Sequence, residues 1–247
     1  MKKKFYMDTE FHEYQKDTTL LKDAINSSSV HQTLIDTIEL ISIGIIDEDG
    51  NEYYAISNEF DIDDAWNNEW LRDNVLKNLF DSKISGNKTS RESMTIKNFK
   101  SYILCCGKSK YQIREEIKSF CVNGDYTDVK KRMDEGLETI EPIPVNDYEF
   151  YAYYGDYDWV VFCWLFGRMI DLPKGFPMYC KDLKQLLDGK AELLKKKISN
   201  RFSKGLDFDE VLFIKSLHNY PTQDNLHNAL DDAKWNKKLH EFLNELQ

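Results

Sequence analysis

The stretch that decides the fold is "DTIELISIGIIDEDGNEYYAISNEF", residues 36–60. β-branched and aromatic residues crowd both halves, and Asp49-Gly50 interrupts them, which predicts two antiparallel strands joined by a tight turn. Before it, "KKFYMDTEF" (residues 3–11) carries a third β pattern, with the polar, irregular residues 12–36 between the first two strands. Further on, "YEFYAYYG" (148–155) reads as a strand, and Asp158 to Ile170 as a buried helix that is apolar on nearly every face. "FPMYCKDLKQLL" (176–187) suggests another short strand and helix, and a helix from about Asn228 to Leu246 closes the chain. Strands first, then strands alternating with helices, predict an α/β protein with a mixed sheet flanked by helices.

Between these elements, "NNEWLRDNVLKNLF" spaces Trp70, Val75, Leu76 and Leu79 as a helix would, and "SKYQIREEIKSFC" does so through Ile113, Ile117 and Phe120. Residues 82–108 and 122–147 read as loop-rich, and 188–224 as a basic, polar excursion. We expect one domain over residues 1–247, with insertions at about 12–36, 82–108 and 188–215.

Composition narrows the function classes. The 247 residues are 41% hydrophobic and 31% charged, enough for a substantial core. The most apolar run, "WVVFCWLFG", is about half of the ~20 residues that a membrane span needs. Acids follow the basic start "MKKKFYMDTEF" before any apolar segment, so neither a membrane protein nor a signal peptide is expected. Five cysteines without metal-type pairing fit reduced thiols in the cytoplasm. The net charge of −10 argues against binding nucleic acid through bulk electrostatics. Locally, however, Lys181 to Lys204 holds eight Lys/Arg against three Asp/Glu. That stretch fits a solvated helix face or a phosphate-tracking patch equally well.

The carboxylates say more. Asp8 and Glu10 are two apart on the first strand and so share a face; there like charges losing hydration call for a cation, unless the strand is an exposed edge. Asp156 and Asp158 both stand where the central helix begins; one is expected to cap it and the other to be free for chemistry, and spacing does not choose between them. The last helix does choose. Turning ~100° per residue from Ala229, Trp235, Leu239, Leu243 and Leu246 centre near about 290°; Asp232 falls at about 300° and Asp231 at about 200°. Asp231 therefore lies at the stripe's margin, whereas Asp232 lies among apolar residues and must be neutralised, paired or bound to metal. Hard oxygen donors in this number suit Mg²⁺ or Mn²⁺, and His227 adds a group able to take a proton near neutral pH. Such a set is gathered in two-metal phosphodiester sites.

"DTEF" on the first strand, aromatic-Asp opening the central helix and H-x-A-x-x-D near the C-terminus resemble the DEDDh 3′–5′ exonucleases. A narrower likeness to a bacterial and phage exoribonuclease branch is carried by "LISIGIIDEDGNEYYAIS", "WLRDNVL", "YAYYGDYDWVVFCWLFGRMIDLPKGFP" and "YPTQDNLHNALDDA". The resemblance implies a ribonuclease H-like fold with a five-stranded sheet, and a metal-dependent enzyme releasing nucleoside 5′-monophosphates from an RNA, or DNA, 3′ end. It implies that Asp8 bridges two Mg²⁺ or Mn²⁺ ions, with Glu10 and Asp232 completing one site and Asp158, rather than Asp156, supporting the other. It makes His227 the general base, Phe11, Thr9 and Trp159 candidate substrate contacts, and a homodimer a candidate assembly by analogy alone. A proofreading-type deoxyribonuclease, a non-catalytic nucleic-acid-binding protein of the same fold and a small-nucleotide phosphatase are the competing expectations.

Overall fold

Asp47 turns the hairpin. The computed structural model describes residues 2–17, 34–80, 94–136, 148–201 and 209–246. Within them β1 (Lys3–Asp17), β2 (Leu34–Asp47) and β3 (Glu52–Ile56) form an antiparallel meander. The fully buried Asp47 carboxylate accepts hydrogen bonds from the Asn51 backbone and side chain, each at 2.8 Å, and pairs with Lys3 at 3.1 Å. Gly50 takes φ +93°, which an L side chain rarely adopts. β4 (Tyr148–Ala152) and β5 (Lys181–Asp182) then add in parallel, giving the order β3-β2-β1-β4-β5. The expected mixed five-stranded sheet is present, and the α/β architecture is consistent with a ribonuclease H-like fold.

Helices cover both faces. α1 (Ile62–Asn67) comes first, and the single helix expected over 67–80 is split into α2 (Glu69–Asn74) and a 3-10 turn, Leu76–Leu79. Asn68 caps α2, its side chain accepting from the Leu71 N–H at 3.1 Å, and the break falls at Val75. α3 (Ile96–Cys106), α4 (Lys110–Asn123) and α5 (Thr127–Asp134) follow, then α6 (Asp156–Phe166), α7 (Leu183–Arg201), α8 (Glu210–Lys215) and α9 (Ala229–Glu245). On one face, Phe5, Met7, Ile43, Ile45 and Phe150 meet Ile117 and Phe120 of α4 and Phe162 and Phe166 of α6. On the other, Tyr6, Ile46 and Tyr151 meet Leu183 and Leu187 of α7 and Trp235, Leu239 and Leu243 of α9. A third cluster joins Ile41 and Ile56 to α1–α3.

Several loop expectations need correction. β1 and β2 run through residues 12–17 and 34–36 as a two-stranded ribbon, so only residues 18–33 of the first insertion lie outside the described part. α3 buries Phe99, Tyr102 and Ile103 in a segment read as loop, and α5 buries Val129 in another. The basic excursion is largely helical: α7 presents Leu183, Leu187 and Ala191 to the core at a spacing of four, a ridge too narrow to stand out among its lysines. α6 starts two residues earlier than expected and ends at Gly167, at φ +109°. It is not buried all round either, because Tyr157, Val160 and Trp164 are exposed. No helix among the described residues is long and apolar enough to cross a membrane.

Candidate active site

Gly44 decides how close α9 comes to the sheet. It pairs with Asp8 across the β1–β2 ladder, and a Cβ there would lie 2.3 Å from the Ala229 carbonyl oxygen and the Leu230 nitrogen. Without a side chain at 44, the first turn of α9 rests directly on β2. Asn228 caps that turn, its side chain accepting from the Leu230 and Asp231 N–H groups, and Asp232 is carried in over β1.

Asp8, Glu10 and Asp232 consequently meet: one carboxylate oxygen of each lies within 4.8 Å of the others. Asp232 is 7% exposed and Glu10 8%, with Asp8 half-buried. Burial pushes Glu10 up to about 8, and the Asp232 and Asp158 charges add to it. Burial likewise holds Asp8 well above the usual carboxylate range, reinforced by Asp158, Glu10 and Asp232. Asp232 is raised by burial against the hydrogen bonds that favour its ionised form. Those bonds come from the Gln223 side chain to Oδ1 at 2.5 Å and from the His227 backbone N–H to Oδ2 at 3.0 Å. Three crowded carboxylates that hold their protons tightly, offering only hard oxygen donors, are a set that a divalent cation fits.

Asp158 arrives from the opposite face of the sheet. Neither it nor Asp156 caps α6, whose N-cap, Gly155, makes no side-chain bond; here the expectation fails. Asp156 is exposed. Asp158 is 6% exposed, and its Oδ1 accepts from the Thr9 N–H at 2.8 Å and the Thr9 hydroxyl at 2.6 Å. Burial still raises it, although both Thr9 bonds act the other way.

His227 holds a left-handed backbone at φ +65°, and its ring meets Trp70 edge to face at 5.0 Å. It borders, with the four acids, a single cavity of about 380 Å³, within the range of small-ligand sites. Phe11 also lines it, its ring centroid 5.7 Å from that of Tyr157.

Two expected substrate contacts are placed otherwise. The Thr9 hydroxyl is committed to Asp158. Trp159 is a correction: it stacks on Phe162 in the core, 7% exposed, because it points to the α4 side of α6. Among the described residues, half of the stretch's eight cations are spent on the protein itself, with Lys181 paired to Glu149, Lys184 to Asp188 and Lys195 to Glu210. Lys190 donates to the Leu246 carbonyl. That favours the solvated-face reading.

Residues with no role in the sequence reading also border the cavity: Gln223, Asn236 and Tyr157 among them. Asn236, 1% exposed, donates to the Met7 carbonyl at 2.9 Å. The helix angle that selected Asp232 puts Asn236 near about 340°, still inside the stripe, so it was legible. Gly44 was legible as a glycine within a strand. Gln223 lies in an aperiodic loop and left no such signal.

The fold and site together define an α/β protein whose sheet centre carries a buried acidic cluster suited to a cation. No family model matches the chain. Two proteins of Mycobacterium tuberculosis, the 3′–5′ exoribonucleases of strains CDC 1551 and H37Rv, are each 32% identical to it over 155 residues, covering 63% of this chain and 68% of theirs. The chain belongs to the family of these 3′–5′ exoribonucleases.

Proposed function

We propose that the protein is a metal-dependent 3′–5′ exoribonuclease of the DEDDh type, one catalytic domain acting on RNA 3′ ends and releasing nucleoside 5′-monophosphates. The observation that carries the reading is the meeting of Asp8, Glu10 and Asp232 within 4.8 Å in a chain of exoribonuclease kinship.

Asp8, Glu10 and Asp232 would hold one cation and Asp8 with Asp158 a second; Mg²⁺ or Mn²⁺ bound there supplies charge neutralisation at the scissile phosphate. His227 takes the proton of the attacking water as its oxygen bonds to phosphorus, and the bond to the leaving 3′ oxygen breaks. Thr9 fixes the orientation of Asp158 through its two bonds. The Asp232 bond to the His227 backbone keeps base and carboxylate in register. Phe11 and Tyr157 at the cavity wall offer ring faces to the terminal sugar or base.

The test is incubation of 3′- and 5′-labelled RNA and DNA oligomers with Mg²⁺, Mn²⁺ or EDTA. Mononucleotide release from the RNA 3′ end, dependent on the cation, is expected. A ladder of internal cuts, or turnover unaffected by EDTA, would refute the assignment; equal or faster DNA cleavage would move the substrate to the deoxyribonuclease alternative.

A further inference from the structure

Gln223 is an exposed residue whose amide nonetheless reaches the buried Asp232 carboxylate. Asp232 takes one donor on each oxygen, and both come from the same short segment: Gln223 on Oδ1 and the His227 N–H on Oδ2. That segment is tied down at two further points. The Trp235 indole donates to the Pro221 carbonyl, and the Asn225 side chain donates to Asp231, each at 3.1 Å.

Between these ties the backbone is strained. Asn225 and His227, neither of them glycine, hold φ of 51° and 65°. Such conformations persist only where the surroundings over-determine them. His227 itself makes one of the Asp232 contacts, its N–H donating to Oδ2. A loop that met α9 merely to cover it would have no need to send a long side chain past the surface to the one carboxylate of the acidic cluster that α9 supplies.

We propose that Gln223 is a positioning residue: it fixes the Asp232 carboxylate for the cation and, through the Asp232 bond to the His227 N–H, fixes where His227 stands over the cavity. The inference rests on the metal-site reading of Asp232 given above. Partners that orient a metal-binding side chain typically change metal affinity or activity by about 10–100-fold when removed. A residue acting only through surface packing would change neither.

The test uses the full chain and Mn²⁺ alone as the probe. Gln223→Met keeps the length and loses the donor; Gln223→Leu is the second variant. Isothermal titration should show Mn²⁺ bound about 10-fold or more weaker, with kcat on an RNA oligomer falling and KM nearly unchanged. The melting temperature in EDTA should stay close to that of the parent. In an Asp232→Asn background, Gln223→Met should add no further loss of Mn²⁺ affinity, because coupled residues are not additive. Unchanged Mn²⁺ affinity in a folded Gln223→Met protein, with Asp232→Asn weakening it, overturns this inference and leaves the metal-site reading standing. Unchanged affinity in Asp232→Asn itself overturns both. Loss of the fold in both Gln223 variants overturns the positioning role, since it would make Gln223 a structural residue.

Discussion

Replacing Glu10 by Gln should stabilise the metal-free protein at high pH while destroying its activity. Burial and the neighbouring acids push the Glu10 carboxyl from the ordinary 4.5 up to about 8. Below 4.5 both the folded and unfolded states hold this proton. Between 4.5 and about 8 the folded state keeps a proton that the unfolded chain has lost, so this carboxyl's contribution to stability falls as pH rises. At 1.36 kcal/mol for each tenfold change in proton affinity, the full difference is about 5 kcal/mol, a ceiling. Asp8 and Asp232 adjust their own protons when one neighbour ionises, so about 2 kcal/mol is the gain expected for Glu10→Gln at pH 8. For a chain of this size that corresponds to a melting temperature higher by roughly 4–8 °C. The assay is thermal or urea unfolding in EDTA at pH 8, 6.5 and 5, with the gain shrinking towards the acid end. Adding Mn²⁺ should raise the parent's stability at pH 8 and narrow or reverse the gap. If Glu10→Gln is no more stable than the parent at pH 8 in EDTA, or if the gain does not depend on pH, the three acids do not repel one another as their geometry requires.

Other consequences are more direct. Asp232→Asn should abolish turnover while Asp231→Asn retains most of it, measured as mononucleotide release; equal losses would overturn the helix-angle argument. His227→Ala should lower kcat by about 10²–10⁴-fold with circular dichroism unchanged, and near-normal rates at neutral pH would remove His227 from the base role. Gly44→Ala forces a Cβ to within 2.3 Å of the α9 backbone and should destabilise by about 1–3 kcal/mol or more, with Mn²⁺ affinity falling as Asp232 is displaced; an unaltered protein would mean that α9 shifts freely. Burial pushes His240, whose ring contacts the Tyr6 hydroxyl at 2.8 Å, down to about 4. Its contribution to stability is present above 6.5 and lost as pH falls towards 4, so His240→Gln should lessen the fall in stability over that range, read by urea titration at pH 7 and pH 5.

Much of the sheet was legible because strands and tight turns leave local marks. Asp49-Gly50 marks the hairpin that Gly50 at φ +93° makes, and β2 pairs with β3 across it. Asp232 was legible because a helix puts its residues at fixed angles. What the sequence hid is tertiary. α3 and α7 carry narrow apolar ridges, Phe99–Tyr102–Ile103 and Leu183–Leu187–Ala191, that only packing makes visible. The partner of Asp158 was hidden too: cap geometry suggested backbone donors in its own helix, and the donor is Thr9, 149 residues away in sequence. Gln223 was out of reach because a loop has no period from which a direction can be read.

The placement of Asp158 and Asp232 shows what the fold itself contributes to holding four acids together. Both sit in the first turn of a helix, α6 and α9, and the two helices lie on opposite faces of the sheet. The positive end of each helix dipole is thus presented to β1, where Asp8 and Glu10 stand. A helix end favours a nearby anion by about 0.3–1 kcal/mol, and by about 2 in a partly buried setting. Two such ends give about 4 kcal/mol at most, shared among four carboxylates that each lose hydration. The hydrogen bonds from Thr9, Gln223 and His227 act in the same direction, yet Asp158 and Asp232 stay raised. Helix dipoles and side-chain donors together therefore leave the cluster short of full ionisation near neutral pH. Full ionisation of the cluster near neutral pH needs positive charge from outside the chain, so cation binding and proton release from this cluster should be one event.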